Sequence, residues 1–138
     1  MRPRGLIDAG ALIALVDEGD RWHGACRAGL AQCSLPLATT AAAIAEFLHY
    51  FVKQPSQLTA CWRLLRSGAV TILPITDDDA ADLERLMLKY ADRPMDFADA
   101  TLVRLAEREG LATILTVDRD FEVYRIGGRK AFRLVPER

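Results

Sequence analysis

Short apolar runs alternate with helix-like segments along nearly the whole chain, and this order limits the fold more than any other feature. Several helix-like segments are delimited by a capping residue, a proline or a glycine. This alternation predicts an α/β fold with a mostly parallel central sheet and helices on both faces. We predict strands at residues 5–8, 35–38, 70–73 and 112–117, short terminal strands at 121–124 and 131–135, and helices at 9–16, 21–31, 41–52, 57–66, 80–90 and 96–109.

Length and composition fit one domain. The chain has 138 residues, of which 51% are hydrophobic and 27% charged, so a packed core is within reach. No linker-like segment interrupts it, and we predict a single domain over residues 1–138. The apolar stretch near the start is too short for a secretory signal, and no run approaches the ~20 residues that span a bilayer, so we expect a cytoplasmic protein without membrane contact.

The charge balance excludes a strongly basic nucleic-acid-binding protein, because 18 basic residues stand against 19 acidic ones. Most basic residues are arginine and they favour the two ends of the chain, where they could bind phosphate or simply be solvated. Three cysteines without a Cys-x-x-Cys pair predict neither a disulfide framework nor a zinc site, so Cys26, Cys33 and Cys61 are interpreted as buried or half-buried thiols. His23 and His49 are interpreted as structural or surface residues.

Two predicted strands end in aspartate, at Asp8 and Asp118. Ligand sites in open α/β sheets form beyond the carboxyl ends of the strands, so a parallel sheet would place both acids along one edge. Two further acids stand out on predicted helices. Glu46 is the only charge in an apolar stretch, and Asp99 begins a helix that continues apolar. Burial of a lone carboxylate is costly unless it is paired or bound to a metal.

Four acids that converge from distant parts of the chain could not all stay ionised without a cation. Oxygen ligands without histidine or thiolate favour Mg²⁺, with Mn²⁺ as the alternative. Carboxylates that hold such an ion serve phosphodiester hydrolysis, because the metal lowers the pKa of a bound water and offsets charge on the leaving oxygen.

Each acid also has a simpler interpretation as part of a turn or a helix cap. Asp8 could cap the helix that follows it, and Asp118 could start a turn. Asp96 is best interpreted as a helix N-cap that could still support a site, and Asp99 three residues later resembles the second half of a capping box. Glu46 could be half-exposed. We assign the run Asp77–Asp79 to helix capping rather than chemistry.

The motifs that carry these acids resemble those of PIN-domain proteins, specifically the VapC-type toxin ribonucleases of toxin–antitoxin systems. The resemblance covers nearly the whole chain. Its pieces are the segments 6–15, 39–48, 94–103 and 115–121, of which the last two are the most specific. The resemblance implies a three-layer α/β/α fold, hydrolysis of RNA phosphodiester bonds by metal-activated water, frequent homodimers and a cognate antitoxin.

Carried over position by position, the family's acidic quartet falls on Asp8, Glu46, Asp99 and Asp118. Asp8, Asp99 and Asp118 are the expected metal ligands, and Glu46 is expected to bind a second metal or orient the attacking water. Asp96 and Thr116 match supporting positions, whereas Ala9 stands where many members have a hydroxyl residue. Flanking phosphates are expected to contact four basic residues near the chain end, Arg119, Arg125, Arg129 and Lys130.

Two other functions compete with this hypothesis. A catalytically silent module of the same fold would bind a partner without metal. A receiver domain or an aspartate-nucleophile phosphatase would also use a strand-end aspartate, but it needs further acidic or lysine residues that the chain lacks at the required positions. If the protein dimerises, we expect the apolar Leu12, Leu15, Phe47 and Phe51 to leave room for an interface.

Overall fold

The computed structural model describes residues 1–137, which form seven strands and six α-helices. The strands are β1 (Gly5–Ile7), β2 (Leu37–Thr39), β3 (Val70–Ile72), β4 (Thr113–Leu115), β5 (Arg125–Ile126), β6 (Lys130–Ala131) and β7 (Arg133–Val135). The helices are α1 (Ala9–Val16), α2 (His23–Gln32), α3 (Ala41–Tyr50), α4 (Pro55–Arg66), α5 (Ala80–Lys89) and α6 (Phe97–Glu109). Within residues 1–137 no helix combines the length and apolar character needed to cross a membrane.

Five strands form one parallel sheet in the order β3-β2-β1-β4-β7. Strand β1 lies at its centre, and the chain leaves β1 toward β2 and β3 before it returns to β4 on the other side. The order therefore reverses between β1 and β4, where open α/β sheets form their ligand crevices. Strands β5 and β6 pair separately as an antiparallel hairpin.

Each face of the sheet is covered by its own hydrophobic cluster, which makes three layers. Successive strand residues point to opposite faces, so Leu6 packs with the cluster that includes α5 and α6, whereas Ile7 packs with α1, α2 and α4. Helix α2 can approach the sheet because it carries Gly29, where a β-carbon would lie only 2.9 Å from Leu115 Cδ1. The predicted α/β fold with a parallel sheet and helices on both faces is confirmed.

The predicted terminal strand at 121–124 is wrong. Residues Arg119–Glu122 form a 3₁₀ turn, and Phe121 and Tyr124 are fully buried side chains three residues apart. Their rings pack together, with centroids 5.2 Å apart, and Phe132 lies against Phe121. Burial of both rings on one side requires a helical turn, because alternate strand positions would send residues three apart to opposite faces.

Three of the four side chains considered for a dimer interface are buried in the core. Leu12, Phe47 and Phe51 expose no more than 2% of their surface, so that expectation is wrong for them, and Leu15 is only partly buried. These apolar residues serve helix packing within the chain.

The run Asp77–Asp79 was predicted to cap the following helix; it forms a 3₁₀ turn that leads into α5, with Thr76 as the N-cap of the turn and Asp79 as the side chain that takes part in capping. The Asp79 carboxylate accepts a hydrogen bond from the backbone N–H of Thr76 over 3.0 Å, which completes a capping box. It is also buried and lies 2.9 Å from both Arg104 Nε and an Arg108 guanidinium nitrogen. Asp79 therefore ties the start of α5 to α6.

The thiols are buried or half-buried, as expected, and of the two imidazoles His23 is half-buried while His49 is exposed on α3. Cys26 and Cys61 are buried and Cys33 is half-buried at the end of α2. His23 Nδ1 lies 2.7 Å from the carbonyl oxygen of Ala14 and so links α2 to α1.

Candidate active site

Carboxylates from four separate segments line one cleft at the carboxyl edge of the sheet. Asp8 directly follows β1, Asp118 follows β4, and these strands are neighbours in register. Helix α3 contributes a third side of the cleft and the start of α6 a fourth. The cleft has a volume of about 110 Å³, and all five acids singled out from the sequence line it: Asp8, Glu46, Asp96, Asp99 and Asp118.

Asp8 is both a helix cap and a member of the cleft. Its Oδ1 accepts a hydrogen bond from the backbone N–H of Ala11 over 3.0 Å, which caps α1. Its Oδ2 accepts a hydrogen bond from the Thr116 hydroxyl. Asp8 is 4% exposed, and its carboxylate is held at both oxygens. The two interpretations of Asp8 offered by the sequence are therefore compatible.

Thr116 links the two aspartates that follow the central strands. While its hydroxyl donates to Asp8, the same oxygen accepts a hydrogen bond from the backbone N–H of Asp118 over 2.9 Å. Thr116 is fully buried, so these contacts are shielded from water. The hydroxyl fixes the position of Asp118 relative to Asp8.

Asp99 is positioned by its own helix and by a residue that sequence reasoning missed. Asp96 Oδ1 accepts a hydrogen bond from the Asp99 N–H over 2.8 Å, which confirms Asp96 as the α6 N-cap. The Tyr124 hydroxyl donates to Asp99 Oδ2 over 3.1 Å. The Tyr124 side chain is fully buried, between the rings of Tyr90 and Phe121. The three-residue spacing of Phe121 and Tyr124 after Asp118 is the signal that could have revealed it.

Asp120 is a second residue that the sequence interpretation left out. Carboxylate oxygens of Asp99, Asp118 and Asp120 lie within 4.8 Å of one another, close enough to share one metal ion. Asp118 Oδ1 accepts a hydrogen bond from the Asp120 N–H over 2.9 Å, and Asp120 Oδ1 forms an ion pair with Arg93 over 2.9 Å. The 3₁₀ turn that follows Asp118 brings Asp120 close to Asp118 and Asp99.

Glu46 lines the cleft but is exposed, so the argument from its burial is wrong. Its neighbours Ile44 and Phe47 face the core, whereas Glu46 lies on the face of α3 turned toward the cleft. Partial desolvation, together with the negative charge of Asp96, raises the pKa of Glu46.

Crowding and burial raise the pKa values of the two innermost acids. Desolvation is the main cause for Asp8, whose pKa is raised to about 6 despite its hydrogen bonds. Desolvation and then the charges of Asp96, Asp118 and Asp8 raise the pKa of Asp99 to about 8. A cation would relieve this repulsion. The all-oxygen donor set fits a hard divalent ion.

The four basic residues expected to contact phosphates differ in their availability. Arg119 is highly exposed, with a 3.3 Å ion pair to Glu122. The guanidinium of Arg125 donates to the carbonyl oxygens of residues 122, 123 and 124, so it caps the preceding turn. Arg129 and Lys130 are exposed on the β5–β6 hairpin.

Comparison with known proteins agrees with this architecture. The PIN domain family matches residues 5–127. Ribonuclease VapC26 of Mycobacterium tuberculosis is 32% identical over 135 residues, which cover 95% of this chain and 99% of the relative. With the doubly wound sheet and its acidic cleft, these matches show that the chain belongs to the PIN-domain family. This membership excludes the receiver-domain and phosphatase alternatives.

Among solved structures, the fold is similar to that of VapC20, a sarcin–ricin-loop-cleaving toxin of Mycobacterium tuberculosis. The TM-score is 0.77 at 19% identity, with 86% of this chain and 92% of the VapC20 chain covered. At that identity the similarity extends to the fold alone.

Proposed function

We propose that the protein is a metal-dependent endoribonuclease, the toxin of a toxin–antitoxin pair. The observation that supports this most is the convergence of Asp8, Asp99 and Asp118 at the switch between β1 and β4. Their raised pKa values and oxygen-only chemistry suit a divalent cation. The relatedness to a ribonuclease over nearly the full chain points to RNA as the substrate.

In this proposal Asp8, Asp99 and Asp118 hold the ion, with Mg²⁺ as the expected metal and Mn²⁺ as the alternative. When bound, such an ion would acidify water and offset the charge of the scissile phosphate. Thr116 holds Asp8 and Asp118 in place through its two hydrogen bonds. The raised pKa of Glu46 suits a group that takes up a proton at the rim of the cleft. Asp96 supports Asp99 by capping α6.

Affinity for the RNA backbone would come from exposed basic residues near the chain end. Arg119, Arg129 and Lys130 would contact phosphates without selecting a sequence, and Arg119 would exchange its exposed ion pair with Glu122 for such a contact. Arg125 is expected to contribute less to the affinity for RNA, because its guanidinium already donates hydrogen bonds to three carbonyl oxygens. We further propose an antitoxin that covers the cleft, a homodimeric toxin and a single domain over the whole chain, acting in the cytoplasm.

The experiment that tests this function compares the wild type with Asp8→Asn in cells and in vitro. We expect growth arrest on expression of the wild type alone, and RNA cleavage that needs Mg²⁺ or Mn²⁺ and stops with EDTA. Glu84→Gln, which removes an exposed acid on α5, is the matched control and should behave as the wild type. A wild type without metal affinity or toxicity would instead indicate a silent interaction module.

A further inference from the structure

A second concavity lies on the rim of the acidic cleft and differs from it in chemistry. It is a groove of about 400 Å³ between the first turns of α3 and α6 and the segment that follows β3. No charged side chain of the described residues lines it. Its two hydroxyl groups, on Thr40 and Thr101, are buried; Thr101 donates to the carbonyl oxygen of Ala98, so Thr40 donates to Thr101 over 2.8 Å. The groove therefore offers aliphatic and aromatic surface without a free charge.

Phe97 connects this groove to the cleft. It is the first residue of α6, and its neighbours Asp96 and Ala98 line the cleft while Phe97 lines the groove. Its side chain is 53% exposed, and Ile72 across the groove is 54% exposed. Leaving a phenylalanine half in water forgoes burial worth about 1 kcal/mol or more. An uncovered ring beside a catalytic cleft thus indicates a surface that receives a ligand.

We infer that the groove receives an unpaired nucleobase adjacent to the scissile phosphate, stacked on the ring of Phe97. This inference rests on the proposed ribonuclease function and deepens it. An RNA strand whose scissile phosphate lies in the acidic cleft must place its next nucleotide on the rim of that cleft. On the side of the groove this rim is apolar. A phosphate would find no cationic partner in this groove, whereas a base is neutral, flat and suited to an aromatic face. Phe97 is then a specificity-determining residue.

The test compares Phe97→Ala and Phe97→Trp with the wild type, using a pool of single-stranded RNA of randomised sequence and Mn²⁺. Loss of one base–aromatic stack corresponds to about a 5- to 150-fold weaker interaction. We expect Phe97→Ala to raise KM by about tenfold with a much smaller change in kcat, because stacking contributes to binding rather than to the reacting atoms. Sequencing of the products should show a base preference beside the cut that Phe97→Ala loses and Phe97→Trp retains.

Two controls make the result specific. Mn²⁺ affinity should be the same for Phe97→Ala and the wild type, since Phe97 offers no ligand atom. Trp62→Ala removes an aromatic side chain of similar exposure, 49%, from α4, outside both concavities at the sheet edge, and should leave the kinetics unchanged.

An active wild type with unchanged kinetics and base preference in Phe97→Ala would overturn the assignment and leave an apolar protein segment as the groove's occupant. Equal losses in Phe97→Ala and Trp62→Ala would overturn it as well. A wild type that cleaves no RNA would instead remove the proposed function, and this inference with it.

Discussion

The Tyr124 hydroxyl donates a hydrogen bond to Asp99 Oδ2 over 3.1 Å, from a side chain that is fully buried. A donor to the ionised carboxylate lowers the pKa of Asp99 against the opposing effect of burial. The rings of Tyr90 and Phe121 hold the Tyr124 ring in place, so the hydroxyl is fixed by packing. Tyr124 is thus a positioning residue for the acid that we assign to the metal.

Tyr124→Phe removes this hydroxyl and keeps the ring. We expect about a tenfold weaker Mn²⁺ affinity by calorimetry, because partners of ligand residues typically contribute that much. Tyr90→Phe is the matched control, since its hydroxyl accepts a hydrogen bond from the Arg125 N–H rather than contacting an acid. Equal Mn²⁺ affinities for Tyr124→Phe and the wild type would show that the contact does not position Asp99.

Thr116→Val replaces the buried hydroxyl that joins Asp8 to Asp118 by a methyl group of similar size. We expect RNA cleavage and Mn²⁺ affinity to fall by about ten- to a hundredfold and the free energy of unfolding by about 1–3 kcal/mol. Thr116→Ser keeps the oxygen and should recover most of the affinity. If Thr116→Val binds Mn²⁺ as tightly as the wild type, Thr116 has no role in arranging the ligands.

The raised pKa values of Asp8 and Asp99 predict how metal and pH act together on stability. Both carboxyls titrate near pH 4 in the unfolded chain, but at about 6 and about 8 in the folded one. Their contribution to stability is therefore complete below pH 4 and is lost as pH rises through 6 and 8. Mn²⁺ needs the ionised forms, so the rise in Tm that Mn²⁺ produces over EDTA should grow from pH 5.5 to pH 8.5.

Differential scanning fluorimetry across that range checks this prediction. In Asp99→Asn the Mn²⁺-induced rise in Tm should be lost across the whole pH range, because this variant lacks one of the assigned ligands. A Mn²⁺-induced Tm shift that is the same at both ends of the range would contradict the assignment of Asp8 and Asp99 as ligands.

The contribution of Asp79 to stability should depend on pH in the opposite direction to that of Asp8 and Asp99, because Asp79 stabilises the fold outside the site. Its backbone hydrogen bond and the two arginine side chains lower the pKa of Asp79, so its contribution is complete above the usual pKa of an aspartate and lost only in strong acid. Asp79→Ala leaves Arg104 and Arg108 without this partner and should lower the free energy of unfolding by about 3 kcal/mol.

Chemical denaturation of Asp79→Ala beside Asp78→Ala measures this difference. Asp78 is exposed in the same turn, and its removal should change the free energy of unfolding by less than about 0.5 kcal/mol. Similar losses for the two variants would show that the buried ion pairs do not hold α5 against α6.

The sequence was sufficient to predict the sheet and the meeting of its acids. Helix α1 spans Ala9–Val16 as predicted, because an apolar run lies between two aspartates that cap its ends. Asp8 and Asp118 were expected together because parallel strands end at one edge, and they do line one cleft. Both predictions depended on local patterns and one rule of sheet topology.

The features that could not be predicted from the sequence depend on tertiary packing. Residues 121–124 have the aromatic and branched side chains of a strand, yet burial of Phe121 and Tyr124 on one side imposes a 3₁₀ turn. That turn brings both Tyr124 and Asp120 to the acids; the strand prediction hid Tyr124, whereas Asp120 lay outside the predicted strand and was interpreted as part of a turn. For Glu46 the apolar neighbours indicated burial, but they face the core from the other side of α3.

The most direct measurement is the anomalous scattering of Mn²⁺ soaked into crystals of the wild type and of Asp99→Asn. The account predicts a strong peak in the wild type within coordination distance of Asp8, Asp99 and Asp118, and its loss in the variant. No peak at that position at saturating Mn²⁺, or an equal peak in Asp99→Asn, would contradict the claim that these acids gather to hold a divalent ion.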